Sequence, residues 1–307
     1  MLSNFRNEFR RDAPHRSHLR THSDFIAACI AAGSELSTIF DSPGLLLKYF
    51  AVDQMHGEHL GPLLDAIGSI IWIEINNKSW YRNQREGLKA VNAELKDFHT
   101  AHPELGHFNK IVMGQIRSKT AKYPVFKGKA AQAKHMIQFC LLLAYKHSGF
   151  LERAPFEFRA SHRLHGHASE YRRLVVSLFE GMAAYTSACD ARPFAKLPCI
   201  LAMYQFLDSL EKLNTLWCQG LVDDEAKAAM PFHVRPKMHM CQHLVEDQLE
   251  IWGNPRNFSC YLDENFIGGL KRVCAMPKHP RTLEVVGMYT CRLLVGTLEE
   301  CERRRAG

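Results

Sequence analysis

Four groups of side chains in this sequence are of the types that hold metals, phosphates or protons. The first is Asp53-Gln54-Met55-His56-Gly57-Glu58-His59-Leu60-Gly61. It directly follows the apolar run LLLKYFAV at 45–52, which is entered from the turn Ser42-Pro43-Gly44. A carboxylate at the end of a strand, with His three residues on, is a place for a cation beside a phosphate. The same Asp is also of the type that caps a helix, and taken alone the cap is the commoner arrangement. The second group is Arg235-Pro236-Lys237-Met238-His239-Met240-Cys241-Gln242-His243. On a helix His239 and His243 share a face, as a zinc pair would. Met240 stands where a hydrolase of the HExxH type needs Glu, and no third ligand is evident, so two hydrogen-bonded His are the simpler reading. The third group runs from Phe258 to Arg272, and a helix there puts Glu264 and Lys271 on one face with Gly268 between them. A fourth, Ser161-His162-Arg163-Leu164-His165-Gly166-His167, can bind an anion or serve as a polar loop.

The elements that must position these groups read mostly as helix. Leu88, Val91, Leu95 and Phe98 recur at helical spacing, and Tyr171, Leu174, Val175, Leu178, Phe179, Met182 and Tyr185 do the same. Ile200 to Trp217 carries Met203, Phe206, Leu207, Leu210, Leu213 and Trp217. Gly220 and Asp223-Asp224-Glu225 then mark a stop and a fresh start. A last helix is expected over 283–301. The best strand is 45–52, terminated by Asp53. The stretch RSKTAKYPVFKGKAAQAK at 117–134 is basic with interleaved aromatics, a pattern shared by phosphate-contacting loops and solvated connectors, and the connector is the commoner of the two.

With 307 residues, 46% apolar and 23% charged, the chain has the composition of a globular protein with a sizeable core, which excludes a disordered one. A net charge of +7 permits a nucleic-acid partner without demanding one. None of the ten Cys forms a CxxC pair, which excludes a zinc ribbon. Several lie among apolar residues, as reduced thiols do in an intracellular compartment, nuclear or cytoplasmic. The N-terminal segment lacks the apolar core of a signal peptide, and no apolar stretch approaches the ~20 residues of a membrane span.

The order of three of these groups resembles the C-terminal part of a cut-and-paste DNA transposase of the CACTA type, a group with an RNase H-like catalytic core. Asp53-Gln-Met-His56 resembles the Asp-x-x-His motif at the second catalytic Asp, followed by His59-Leu60-Gly61. Arg235-Pro-Lys237-x-His239-x-x-x-His243-Leu-x-Glu246 resembles the segment before the third acid. Tyr261-Leu-Asp-Glu264-x-x-x-Gly268-x-x-Lys271 resembles the segment carrying the final Glu. The resemblance implies a mainly α fold: a large helical insertion-type domain flanked by the remnant of an RNase H-like α/β core with few strands. The divisions would be 1–60 for the remnant strand, 61–230 for the insertion and 231–307 for the C-terminal helical part.

The implied chemistry is hydrolysis and strand transfer at DNA phosphodiesters with Mg²⁺ or Mn²⁺. By resemblance Asp53 and Glu264 are catalytic metal ligands, and His56, His239 and His243 support them. Lys237, Lys271 and Arg272 face DNA, and self-association into a homo-oligomer is compatible with that role. Such a core also needs a first Asp on an earlier strand. Asp12, Asp24 and Asp41 do not follow an apolar strand. The expectation is therefore a transposase-derived chain that is catalytically incomplete alone. Two other classes fit parts of the sequence: a helical nucleic-acid-binding or adaptor protein using its basic faces, and a metalloprotein centred on His239 and His243.

Overall fold

The structure, a computed structural model, describes residues 22–33, 52–77, 80–105, 108, 110–116, 123–150 and 167–261. Met1–Phe258 form one compact unit and Ser259–Gly307 a second. In chain order the α-helices are α1 (His22–Ala31), α2 (Pro62–Ile75), α3 (Gln84–Ala101), α4 (Met113–Ile116), α5 (Ala130–Phe150), α6 (Ala168–Asp190), α7 (Lys196–Cys218), α8 (Asp224–Ala228), α9 (Lys237–His243) and α10 (Leu249–Trp252). Two π-helical turns, Met55–His59 and Leu244–Gln248, precede α2 and link α9 to α10. There is no strand among the described residues, so the mainly α class holds there. The expected strand at 45–52 lies outside the described residues apart from Val52. So do 117–122, 161–166, the expected last helix at 283–301, and Glu264, Lys271 and Arg272.

The centre of the first unit is α2, PLLDAIGSIIWIEI, of which every residue but Trp72 is buried. A helix apolar on all sides belongs inside a protein rather than on its surface. It packs on α3 and α5 and on the turn Met55–His59, while α5 packs on α6 and α6 on α7. α3 shows the opposite design, an apolar stripe of Val91, Leu95 and Phe98 facing inward, with Leu88 partly covered. Its start is capped: Asn83 accepts from the Glu86 N–H, and the Glu86 carboxylate accepts from the Arg82 N–H. α6 and α7 form a long helical hairpin, and all the apolar positions expected of them by spacing, from Tyr171 to Tyr185 and from Met203 to Trp217, are buried. α7 ends before Gly220 at φ +72, and Asp223 caps α8 by accepting from the Glu225 and Ala226 N–H groups. Cys140, Cys189, Cys199 and Cys241 are buried free thiols.

Two glycines set how closely these layers approach. A Cβ at Gly68 would stand 2.5 Å from Val125 Cα and 2.4 Å from Phe126 N, because the segment 124–129 crosses α2 there. A Cβ at Gly181 would stand 2.8 Å from Phe206 N, at the crossing of α6 and α7. Backbone cannot swing aside as a side-chain tip can. Gly68→Ala is expected to lower stability by about 2 kcal/mol despite its better helix propensity, read as a lower urea midpoint.

Burying α2 also buries its polar side chains, and each has found a partner, as it must. Ser69 Oγ accepts from the Phe232 N–H at 2.7 Å. Glu74, fully buried, accepts from Lys146 Nζ at 2.6 Å and the Tyr81 hydroxyl at 2.7 Å on one oxygen, and meets His147 Nε2 at 2.7 Å on the other. Lys146 also reaches Glu94 on α3 at 2.7 Å and lies 5.2 Å from the Trp80 ring centre. Burial by itself would raise the Glu74 carboxyl, but the hydrogen bonds and charges of His147 and Lys146 reverse this and hold it at about 2. Its folded value thus lies below the unfolded one. The stabilisation is complete above about pH 4.5 and is lost as pH falls towards 2. Glu74→Gln is expected to flatten that acid limb in denaturation curves taken between pH 5 and 2.

Candidate functional site

The turn that opens at Asp53 is built by its own side chains. Asp53 accepts from the Met55 N–H at 3.1 Å and the His56 N–H at 3.0 Å, so it caps the turn. The His56 ring, half exposed, rests Nδ1 against the same carboxylate. The chain then winds one residue wider than an α-helix, with the Leu60 N–H donating to the Met55 carbonyl at 2.8 Å. Gln54 points inward, donating to the Tyr185 hydroxyl and to Glu58, both at 3.2 Å. Glu58 is fully buried, and His59 Nε2 stands 3.1 Å from its other oxygen. π-helical turns are rare and concentrate at functional sites.

A helical turn that ends leaves carbonyls without partners, and these attract cations. Here the second motif supplies them. Lys237 Nζ donates to the carbonyls of His56 at 3.1 Å and Leu60 at 3.2 Å. Cys241 Sγ donates to the Gly57 carbonyl at 3.5 Å, and Arg235 Nη2 to the Gly61 carbonyl at 3.0 Å. Arg235 Nε also meets the buried Asp65 carboxylate on α2 at 2.6 Å. A Cβ at Gly57 would lie 3.1 Å from Val52 Cγ1 in the same segment and in ordinary contact, 3.9 Å, with Met240 Cβ on α9. Arg235, Lys237 and Cys241 therefore clamp the Asp53–Gly61 segment to α9. Lys237, expected from the sequence to face DNA, spends two donors on this clamp.

Two spatial consequences follow for titratable groups. Burial pushes the Asp65 carboxyl up to about 7, against the opposing hydrogen bond and charge of Arg235. Burial also raises the Cys241 thiol, and the charge of Glu58 adds to it. Beside Arg235, His233 stacks on Tyr123 with ring centres 4.1 Å apart. Its imidazole is held below the usual value by burial and by Arg235.

On α9 itself the helical spacing of the two His is realised. His239 Nε2 and His243 Nε2 face each other at 2.8 Å, and His243 Nδ1 meets the Asp247 carboxylate at 2.5 Å. Both rings are half-buried. Hence the backbone of residues 56–61 is bonded directly to the segment holding Arg235, Lys237 and Cys241, although the two lie far apart in the chain. Glu264, Lys271 and Arg272 fall outside the described residues.

Asp65 and Glu74 are residues that the spacing of motifs did not single out. Their signal was an acid inside an apolar run, which obliges a buried partner. No protein-family model, curated protein or solved structure matches the chain. No helix among the described residues is long and apolar enough to cross a membrane.

Removing Arg235 strands the buried Asp65 carboxylate, so Arg235→Ala is expected to cost about 3 kcal/mol in urea unfolding. Adding Asp65→Asn is expected to restore much of it. The folded-state value of Asp65 lies above the unfolded 3.8, so the native protein keeps a proton that the unfolded chain releases. Stability from this group declines as pH rises from about 4 through about 7. Asp65→Asn alone is expected to remove that decline.

Proposed function

We propose that this chain derives from a cut-and-paste DNA transposase of the CACTA type with an RNase H-like core, and that it has no nuclease activity on its own. The observation that carries the reading is the clamp. Lys237, in the segment resembling Pro-Lys-x-His, binds the carbonyl of His56, which lies 181 residues earlier in the segment resembling Asp-x-x-His. Segments that contribute to one catalytic site must meet in space. These two do so through the residues that define the second motif.

The fit to a divalent cation is partial. Asp53 Oδ1 accepts the Met55 N–H, while Oδ2 accepts the His56 N–H and carries the His56 ring, so an ion would share this carboxylate with the turn it caps. Mg²⁺ binds through one or two carboxylates while keeping several waters, so Asp53 suits one such ion, and by the resemblance alone Glu264 would be the other carboxylate. When bound, such an ion would supply Lewis-acid stabilisation at a phosphate. Two-metal chemistry needs more carboxylates than this pair, which agrees with an incomplete site. Asp53 anchors the turn, His56 is oriented by Asp53, and Lys271 and Arg272 would meet the DNA backbone.

The test is a plasmid-nicking assay with Mg²⁺ or Mn²⁺, using the full chain beside Asp53→Ala and Glu264→Ala. No cleavage above the variants is expected. Cleavage by the full chain that disappears in both variants would overturn the statement of inactivity. DNA binding is expected to weaken steeply with salt, as phosphate contacts by a chain of charge +7 require. Absence of DNA binding at low salt would remove the transposase origin as a guide to function.

A further inference from the structure

We infer that His239 and His243 form a binding site for a zinc-class transition-metal ion, with Asp247 as the group that orients it. The site is separate from the Mg²⁺ reading above, because imidazole pairs select zinc, copper, cobalt or nickel, whereas Mg²⁺ selects oxygen.

Three observations converge on it. The two Nε2 atoms lie 2.8 Å apart across a single helical turn, with the ring planes at 79° and their centres 4.3 Å apart. His243 holds its other ring nitrogen 2.5 Å from the Asp247 carboxylate. In a neutral ring that bond puts the proton on Nδ1, so the Nε2 lone pair is directed at His239. This is the carboxylate–histidine arrangement that fixes the tautomer and raises the basicity of metal-binding imidazoles. Third, the helix carrying both His is anchored at its start, with Lys237 on the His56 and Leu60 carbonyls and Cys241 on the Gly57 carbonyl. The ligands thus stand on a rigid element, and the π-helical turn Leu244–Gln248 that follows carries Asp247.

The geometry is close to what an ion needs. Metal–nitrogen bonds of about 2.0–2.1 Å at a tetrahedral angle put two nitrogens about 3.3 Å apart. The observed separation is about 0.5 Å shorter, a difference that small rotations of two half-buried rings supply. In neutral rings an ion at this position requires the His239 tautomer with its proton off Nε2, a change within the ring that releases no net proton. Two protein nitrogens leave two coordination positions for water or ligand atoms, one more than the three-ligand catalytic type of zinc site leaves.

Cobalt(II) titration of the full-length chain tests this, followed by visible absorption and repeated with Zn²⁺ by calorimetry. One equivalent is expected to bind with a tetrahedral cobalt spectrum lacking a thiolate charge-transfer band, which separates the site from the cysteines. His239→Gln and His243→Gln are each expected to weaken binding at least 100-fold. Asp247→Asn is expected to weaken it 10–100-fold with the spectrum retained, since that residue positions a ligand without being one. Urea midpoints check that each variant folds. If a variant does not, His239→Asn or His243→Asn replaces it under the same criterion. Failure of the wild-type chain to bind cobalt or zinc, or binding unchanged in the folded variants, would overturn the inference. Neither result bears on the nicking assay, so the two readings stand or fall apart.

Discussion

The first unit depends on the burial of α2 with its polar groups inside it. A helix that is apolar on all sides must be surrounded, and Asp65, Ser69 and Glu74 travel into the interior with it. Each then requires a partner that water can no longer supply. Arg235 and the Phe232 backbone come from the segment before α9, and Lys146 and His147 come from the end of α5. The burial of one helix thereby determines where two distant parts of the chain must go. Hydrophobic burial supplies the driving force, and the buried polar groups select which packing satisfies them.

The motif-bearing segments inherit their geometry from this arrangement. Arg235 is shared between Asp65 on α2 and the Gly61 carbonyl that precedes it. That places Lys237 over the His56 and Leu60 carbonyls, two residues further on, and sets the register of α9. The His pair and Asp247 are then carried on a helix whose start is pinned. Two π-helical turns flank this junction, one carrying His56 with Asp53 just before it and the other carrying Asp247. Their wider winding changes which residues share a face, and in both cases a chemically capable side chain lies within or beside the turn.

Several features were legible from residue order. The apolar stripes of α3 and α6, and the apolar positions of α7, follow directly from helical spacing, because a helix on the rim of a core shows its buried face as a period. The cap at Asp223 and the stop at Gly220 were legible for a local reason, since capping joins residues two or three apart. Asp53 was open between cap and cation ligand. The structure realises the cap, with the His56 ring on the same carboxylate. α2 was not legible in the same way. With no polar face it has little periodic signal, and its acids looked like interruptions of an apolar run rather than anchors.

Sequence by itself therefore determined the helical class, the positions of the amphipathic elements, the local caps and the facing of His239 and His243, all of which rest on interactions within a few residues. Tertiary structure alone decided that Arg235 pairs with Asp65, that Lys237 and Cys241 bind the backbone of residues 56–60, and that Glu74 joins Lys146 and His147. These bonds span many tens of residues. Their partners carry no mark in sequence spacing, because desolvation inside the assembled core is what makes them necessary.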